Sequence, residues 1–193
     1  MSVGWTPSLH PIYTEEDIVF EPALCGSWLG DDNVTILNIA PNTEYENAYN
    51  FSSSNNPEGS INLLVHLVSI DDHLFLDCYP PDSESNDIGD SLKLYTHAFF
   101  RVVQIEPDLI VRDMDQEWLK AYLKDNPDAL RLDYVENVKL DCTAPVVTSS
   151  TEEIQAFMIE HLETEGAYGD PIVLHRVDEA PGTAEDESES AEE

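Results

Sequence analysis

Two side chains in this chain are placed to do polar chemistry inside an apolar setting. Asp77 falls in phase with Phe75 and Tyr79 along one run of alternating residues, and Arg101 falls in phase with Phe99 and His97 along another. If both face one interior, they make a paired polar spot able to hold a ligand carboxylate or amide, because a charge removed from water needs a partner. The competing reading is a structural ion pair, or two separate side chains facing solvent. Tyr45, Tyr49, Phe75, Tyr79 and Phe99 are the aromatics expected to line such a cavity, or to fill it outright. Trp28, Trp118 and Phe157 are expected to act as packing anchors rather than ligand contacts.

Catalytic and metal-binding patterns are missing from the sequence. His66, His73, His97, His161 and His175 show neither His-x-His nor His-Glu-x-x-His spacing, so no zinc site is expected. The acids from Asp108 to Glu117 lack the glycine and the twelve-residue loop of a calcium-binding hand. There is no Gly-x-Ser-x-Gly, no phosphate loop and no dinucleotide fingerprint, and no cofactor is expected. Cys25, Cys78 and Cys142 are odd in number and far apart, which predicts buried free thiols. No catalytic residue is assigned; a hydrolase built from distant residues is a lesser alternative.

Charge is the strongest compositional signal. Forty acidic residues face eight basic ones, a formal net charge of -32. Such a surface repels nucleic acid backbones and anionic lipid, and attracts cations and basic proteins. The acids are spread along the chain, which suits a surface adapted to high salt better than a local imitation of nucleic acid. No apolar run is long enough to span a membrane. Without a visible secretory signal the chain reads as cytoplasmic, or as periplasmic or envelope-associated if a signal has been removed.

The elements that must position these residues are mostly strands. Residues 1–30 read as an irregular arm with prolines at 7, 11 and 22. Strands follow at Val34–Ile39, with Val34, Ile36 and Leu37 inward, at Glu44–Phe51, at Ile61–Ile70 and at His73–Tyr79. Leu92–Glu106 and Leu109–Arg112 continue the pattern. Asp113, with Gln116 three residues on, predicts a helix carrying Trp118, Leu119, Tyr122 and Leu123, and Pro127 predicts a second short one. Val135–Leu140 returns to strand. Ser150 and Glu153 form a capping box that opens a helix with Ile154, Phe157, Met158, His161 and Leu162 on one face. Ile172–Val177 closes the pattern as a last strand. The expected fold is mainly β with two or three short helices. It is an antiparallel meander closed into a barrel over 31–177, since open edges invite association. A two-layer α+β arrangement is the alternative. Asp178–Glu193 holds eight acids and no base, and reads as a disordered acidic tail.

Several stretches then resemble a bacterial family of lipocalin-like, calycin-type proteins of unknown function, often lipoproteins. They are His10-Pro11-Ile12-Tyr13 through Phe20, Pro22 through Trp28, His73 through Pro80, His97 through Val102, Glu117-Trp118-Leu119, Asn126-Pro127 to Leu130, and Glu153 through Phe157. Gly26-x-Trp28 resembles the glycine–tryptophan signature at the base of lipocalin barrels. The resemblance implies a calycin-type barrel without an established ligand or reaction, and no lipidated cysteine stands near the start. The function expected is non-enzymatic binding of a small apolar or amphipathic ligand. The alternative is a solid-cored interaction or structural module.

Overall fold

Local turn chemistry sets where each strand starts. The computed structural model describes residues 7–54, 61–81, 95–137 and 142–177. The predicted tail, most of the 52–60 loop, residues 82–94 and residues 138–141 lie outside the described residues.

Strand β1 is Ile18–Val19, β2 Gly26–Gly30, β3 Ile36–Pro41, β4 Ala48–Ser54, β5 Asn62–Ile70, β6 His73–Tyr79, β7 Ala98–Gln104 and β8 Asp108–Asp113. Helix α1, Gln116–Asp125, and the hairpin β9 Leu132–Asn137 with β10 Cys142–Val147 follow. Helix α2, Thr151–Glu160, then leads to β11, Ile172–Val177. Strands β2 to β8 pair antiparallel in sequence order, and β11 enters between β8 and β2 to close an eight-stranded barrel. The fold is therefore the expected meander barrel, with β1 added beside β5.

The tightest reversal is Asp71-Asp72, both at positive φ, between β5 and β6. Two left-handed residues in a two-residue hairpin match the right-handed twist of the flanking strands, and Asp tolerates that conformation.

Several boundaries differ from expectation because side chains hold the backbone in turns. Asp32 accepts the amides of Val34 and Thr35 and the Thr35 hydroxyl. Val34 is thereby kept in an exposed turn, and β3 sends Leu37 inward as expected, with Ile39 in place of Val34 and Ile36. Asn42 Oδ1 accepts the amides of Glu44 and Tyr45, so alternation begins only at Ala48 and Tyr45 lies in the turn, exposed. Asp115, not Asp113, caps α1 by accepting from Trp118 N–H. The short helix predicted at Pro127 is a turn: Asn126 ends α1 by donating both its backbone and side-chain N–H to Tyr122 O. The strand predicted at 135–140 overlaps β9, which pairs with β10 outside the barrel, and its residues 138–140 lie outside the described residues. Strand β2 places Gly26–Gly30 in the barrel wall, within the stretch read as an arm. The capping box at Ser150 and Glu153 forms as expected.

Apolar side chains separate into two cores. The first draws on all eight barrel strands, with Trp28, Tyr49, Phe51, Val65, Leu67, Leu76, Cys78, Val102, Leu109 and Val111 buried together, and is the filling of the barrel. The second joins Val68, Ile70 and Phe75 on the outer wall to Ile12, the two helices and Val147 of the hairpin. Strand β5 is buried on both faces and is a nearly continuous apolar run for that reason.

The closing seam has a polar strap as well. On β11, His175 Nδ1 lies 3.0 Å from Asp108 on β8, and Nε2 lies 3.3 Å from Asp31 after β2. The hydrogen bond to Asp108 leads in raising the His175 pKa above its ordinary value, followed by the charges of Asp108 and Asp31. A raised folded-state pKa contributes stability that is complete below the unfolded value near 6.5 and lost as pH rises through the folded value. His175→Gln is therefore expected to lower the urea midpoint at pH 5.5 and to leave it close to wild type at pH 9. Equal deficits at both pH values would show that the strap carries no proton-linked stability.

Candidate functional site

The alternation that groups Phe75, Asp77, Tyr79, Phe99 and Arg101 is real, but it points away from the barrel interior. Leu76, Cys78, Ala98 and Val102 take the interior positions of β6 and β7, so the other phase lies on the outer wall. A strand buried on both faces gives no hydrophobic signal to tell inside from outside, and only the covering layer reveals it. Tyr49 does face the interior, fully buried, and its hydroxyl lies 2.7 Å from the Glu21 amide. Trp28 also lies in the barrel core, Trp118 packs beside the outer core and Phe157 is buried within it.

Asp77 and Arg101 do not pair with one another. Asp77 is 1% exposed. Its Oδ2 accepts the Ile12 amide at 2.9 Å, and its Oδ1 lies 2.6 Å from His97 Nδ1. Tyr79 stacks on the His97 ring, and Tyr13 packs on His66, the cross-strand neighbour of Asp77. Burial, reinforced by the Asp77 charge, pushes the Tyr13 hydroxyl up to about 12. Burial also lowers His66, with Asp77 opposing and His97 adding to the shift. This cluster ties the arm of residues 8–13 to the barrel wall. Backbone bonds between Ser8 and His97 and between Leu9 and Val147, with Gln155 donating to Ile12 O, complete the strap.

Arg101 works elsewhere, and it has a partner that the sequence reading passed over. It stands opposite Arg112 across β7 and β8. The loop after α2 passes over both. Arg101 donates to Leu162 O at 2.8 Å and to Glu163 Oε1 at 3.0 Å, with its guanidinium 5.7 Å from the centre of the Tyr168 ring. Arg112 donates through Nε to Gly169 O at 2.8 Å and through Nη2 to Tyr168 O. Together with Thr164, Glu165 and Gly166 these residues line an open polar cleft of about 280 Å³. Burial pushes the Tyr168 hydroxyl up to about 12, against the charge of Arg101, so it stays neutral as the floor of the cleft.

Behind Tyr168 lies an apolar cavity of about 40 Å³ lined by Phe99, Met114, Leu119, Leu130, Val147, Ile154, Phe157 and Met158. Tyr168 lines the cleft and contacts two residues of the cavity wall: its hydroxyl donates to Met158 O, and its backbone bridges Met114. Both spaces lie between the outer wall and the covering layer. A signal for the arginine pair was present in the sequence. A hairpin folded about Glu106-Pro107 brings Arg101 and Arg112 face to face, since each is the same number of residues from the turn. The two are half of the four arginines in the chain.

Among the described residues no group of three or more His, Cys, Asp or Glu is arranged to hold a metal ion, and no helix is long and apolar enough to cross a membrane. Comparison with protein-family models, with curated proteins and with solved structures finds no match to this chain. The closed antiparallel barrel is of the calycin-like kind, and that part of the family expectation stands on architecture alone.

Proposed function

We propose that this chain is a non-enzymatic binding protein for a small amphipathic anion, taken up on the outer wall of the barrel at the arginine cleft. One observation carries the reading: two arginines stand in cross-strand register over an open cleft in a chain of net charge -32. Like charges directly opposite on neighbouring strands repel, and an anion between them relieves the repulsion. The guanidiniums are held by backbone carbonyls and an aromatic ring, so little side-chain entropy is left to lose on binding. The methionine-rich cavity behind Tyr168 would take the apolar end, because Met114 and Met158 can re-pack around it. The barrel itself acts as scaffold, its interior occupied by large side chains.

Titration calorimetry with hexanoate and hexanol at moderate salt tests this reading. Hexanoate is expected to bind one-to-one, hexanol at least tenfold more weakly, and Arg112→Gln to abolish the preference while circular dichroism stays native. Equal binding of acid and alcohol, or no binding of either, would overturn it.

A second reading is favoured by the β9–β10 hairpin. Tyr134 is 68% exposed and Val135 is exposed beside it on β9, which has no further strand paired to it among the described residues. Such an edge is a place where another chain adds a strand, and a basic partner suits the acidic surface. The spread of acids supports a setting of high salt, where self-repulsion is screened.

A further inference from the structure

Within the cleft one carboxylate already sits on a guanidinium. Glu163 Oε1 lies 3.0 Å from Arg101 Nη2, yet the Glu163 side chain is 87% exposed and that of Arg101 only 19%. Glu163 reaches in from solvent, makes a single contact and has no other hydrogen bond among the described residues. An ion pair with one end in water contributes little and is readily exchanged. The remaining acceptors on the two arginines are backbone carbonyls of the same loop, which cannot leave without unfolding it. The exchangeable position in the cleft is thus a carboxylate seat on Nη2 of Arg101. Arg112 Nη1 carries no protein acceptor among the described residues and stands across the strand pair from that seat.

We infer that Glu163 is a built-in stand-in for the ligand's head group, that the ligand head is a carboxylate, and that Glu163 must swing out for it to bind. The inference rests on the cleft being the binding site. A planar carboxylate matches a guanidinium edge held fixed by a carbonyl on one side and a tyrosine ring beneath it. Glu163 then acts as an internal competitor: it lowers apparent affinity by the fraction of time it occupies the seat. Because it is attached to the same loop that forms the cleft wall, its release leaves Leu162 and the wall in place.

The test compares wild type, Glu163→Gln and Glu160→Gln, the last removing an equal charge from the exposed end of α2. Hexanoate and hexylphosphonate are titrated into each by calorimetry. Glu163→Gln is expected to tighten hexanoate roughly two- to fivefold. Glu160→Gln should leave it close to wild type, and hexanoate should bind more tightly than the phosphonate. In ¹H–¹⁵N spectra, saturating hexanoate should move the Glu163 amide in wild type. Hexanoate binding to wild type with no gain in Glu163→Gln, or an equal gain in both variants, overturns the inference and leaves the cleft as the site. Tighter phosphonate binding overturns the carboxylate assignment. No binding to any of the three proteins overturns the cleft reading itself, and this inference falls with it.

Discussion

Replacing Trp28 by alanine is expected to cost about 3–5 kcal/mol, a large share of the stability of a domain this size. Trp28 is fully buried in the barrel core, where its indole N–H donates to Leu24 O at 3.0 Å. Across its face lies the Arg176 guanidinium, 4.3 Å from the ring centre. Arg176 also donates to Cys25 O and Ala23 O, so one side chain of β11 fastens the last strand to the chain that enters β2. Gly26 makes the approach feasible: its φ of +141° is open to glycine, and an added Cβ would lie 2.9 Å from Arg176 Nη1. Removing the indole therefore leaves a cavity, an unpaired carbonyl and a guanidinium without its aromatic face. Urea denaturation followed by circular dichroism measures the loss. A loss below about 1 kcal/mol would show that the β2–β11 seam closes without the Trp28–Arg176 stack.

Asp77→Ala is expected to cost about 3 kcal/mol, at the lower end for removing one partner of a buried hydrogen-bonded carboxylate–imidazole pair because the His97 left behind reaches solvent. Two losses combine. The Ile12 amide loses its acceptor in a buried position, and His97 loses the carboxylate that holds its Nδ1. Since Asp77 is what pins the arm between Ser8 and Tyr13, the loss should be local before it is global. Amide exchange at Ile12, at Leu9, which donates to Val147 O, and at Val147, which donates to Pro7 O, should accelerate more than exchange in β3 or β4. Asp77→Asn, which keeps an acceptor for the Ile12 amide, should recover part of the loss. Uniform acceleration across the barrel would instead make Asp77 a support of the whole sheet.

The sequence indicated much of the architecture and less of the site. Strand β6, β11 and the capped α2 were legible because each rests on local causes: two-residue periodicity, a closing turn, and a Ser–Glu box with a 3.6-residue apolar stripe behind it. Closure could be anticipated, since a meander of this length cannot leave both edges bare. Boundaries failed where one polar side chain captured two amides, as Asp32 and Asn42 do, because an alternating pattern runs through such a turn without a break.

What sequence alone determined was therefore most of the barrel strands, from β3 to β8 with β11, their antiparallel order and, along β6 and β7, which residues share a face; β1, β2 and the β9–β10 hairpin were not read from it. Which face looks inward was decided only by the tertiary structure. Phe75 and Asp77 are as well shielded by the arm and helices as Leu76 and Ala98 are by the barrel, Phe99 and Arg101 are partly covered, and hydrophobicity records shielding without recording by what. Partner choice was decided at the same level. Asp77 meets His97 and Arg101 meets Arg112 and Glu163 because strand register and a loop 60 residues downstream put them there. Charge attraction between Asp77 and Arg101 falls off over a few ångströms, so it acts only on groups that the backbone has already brought together.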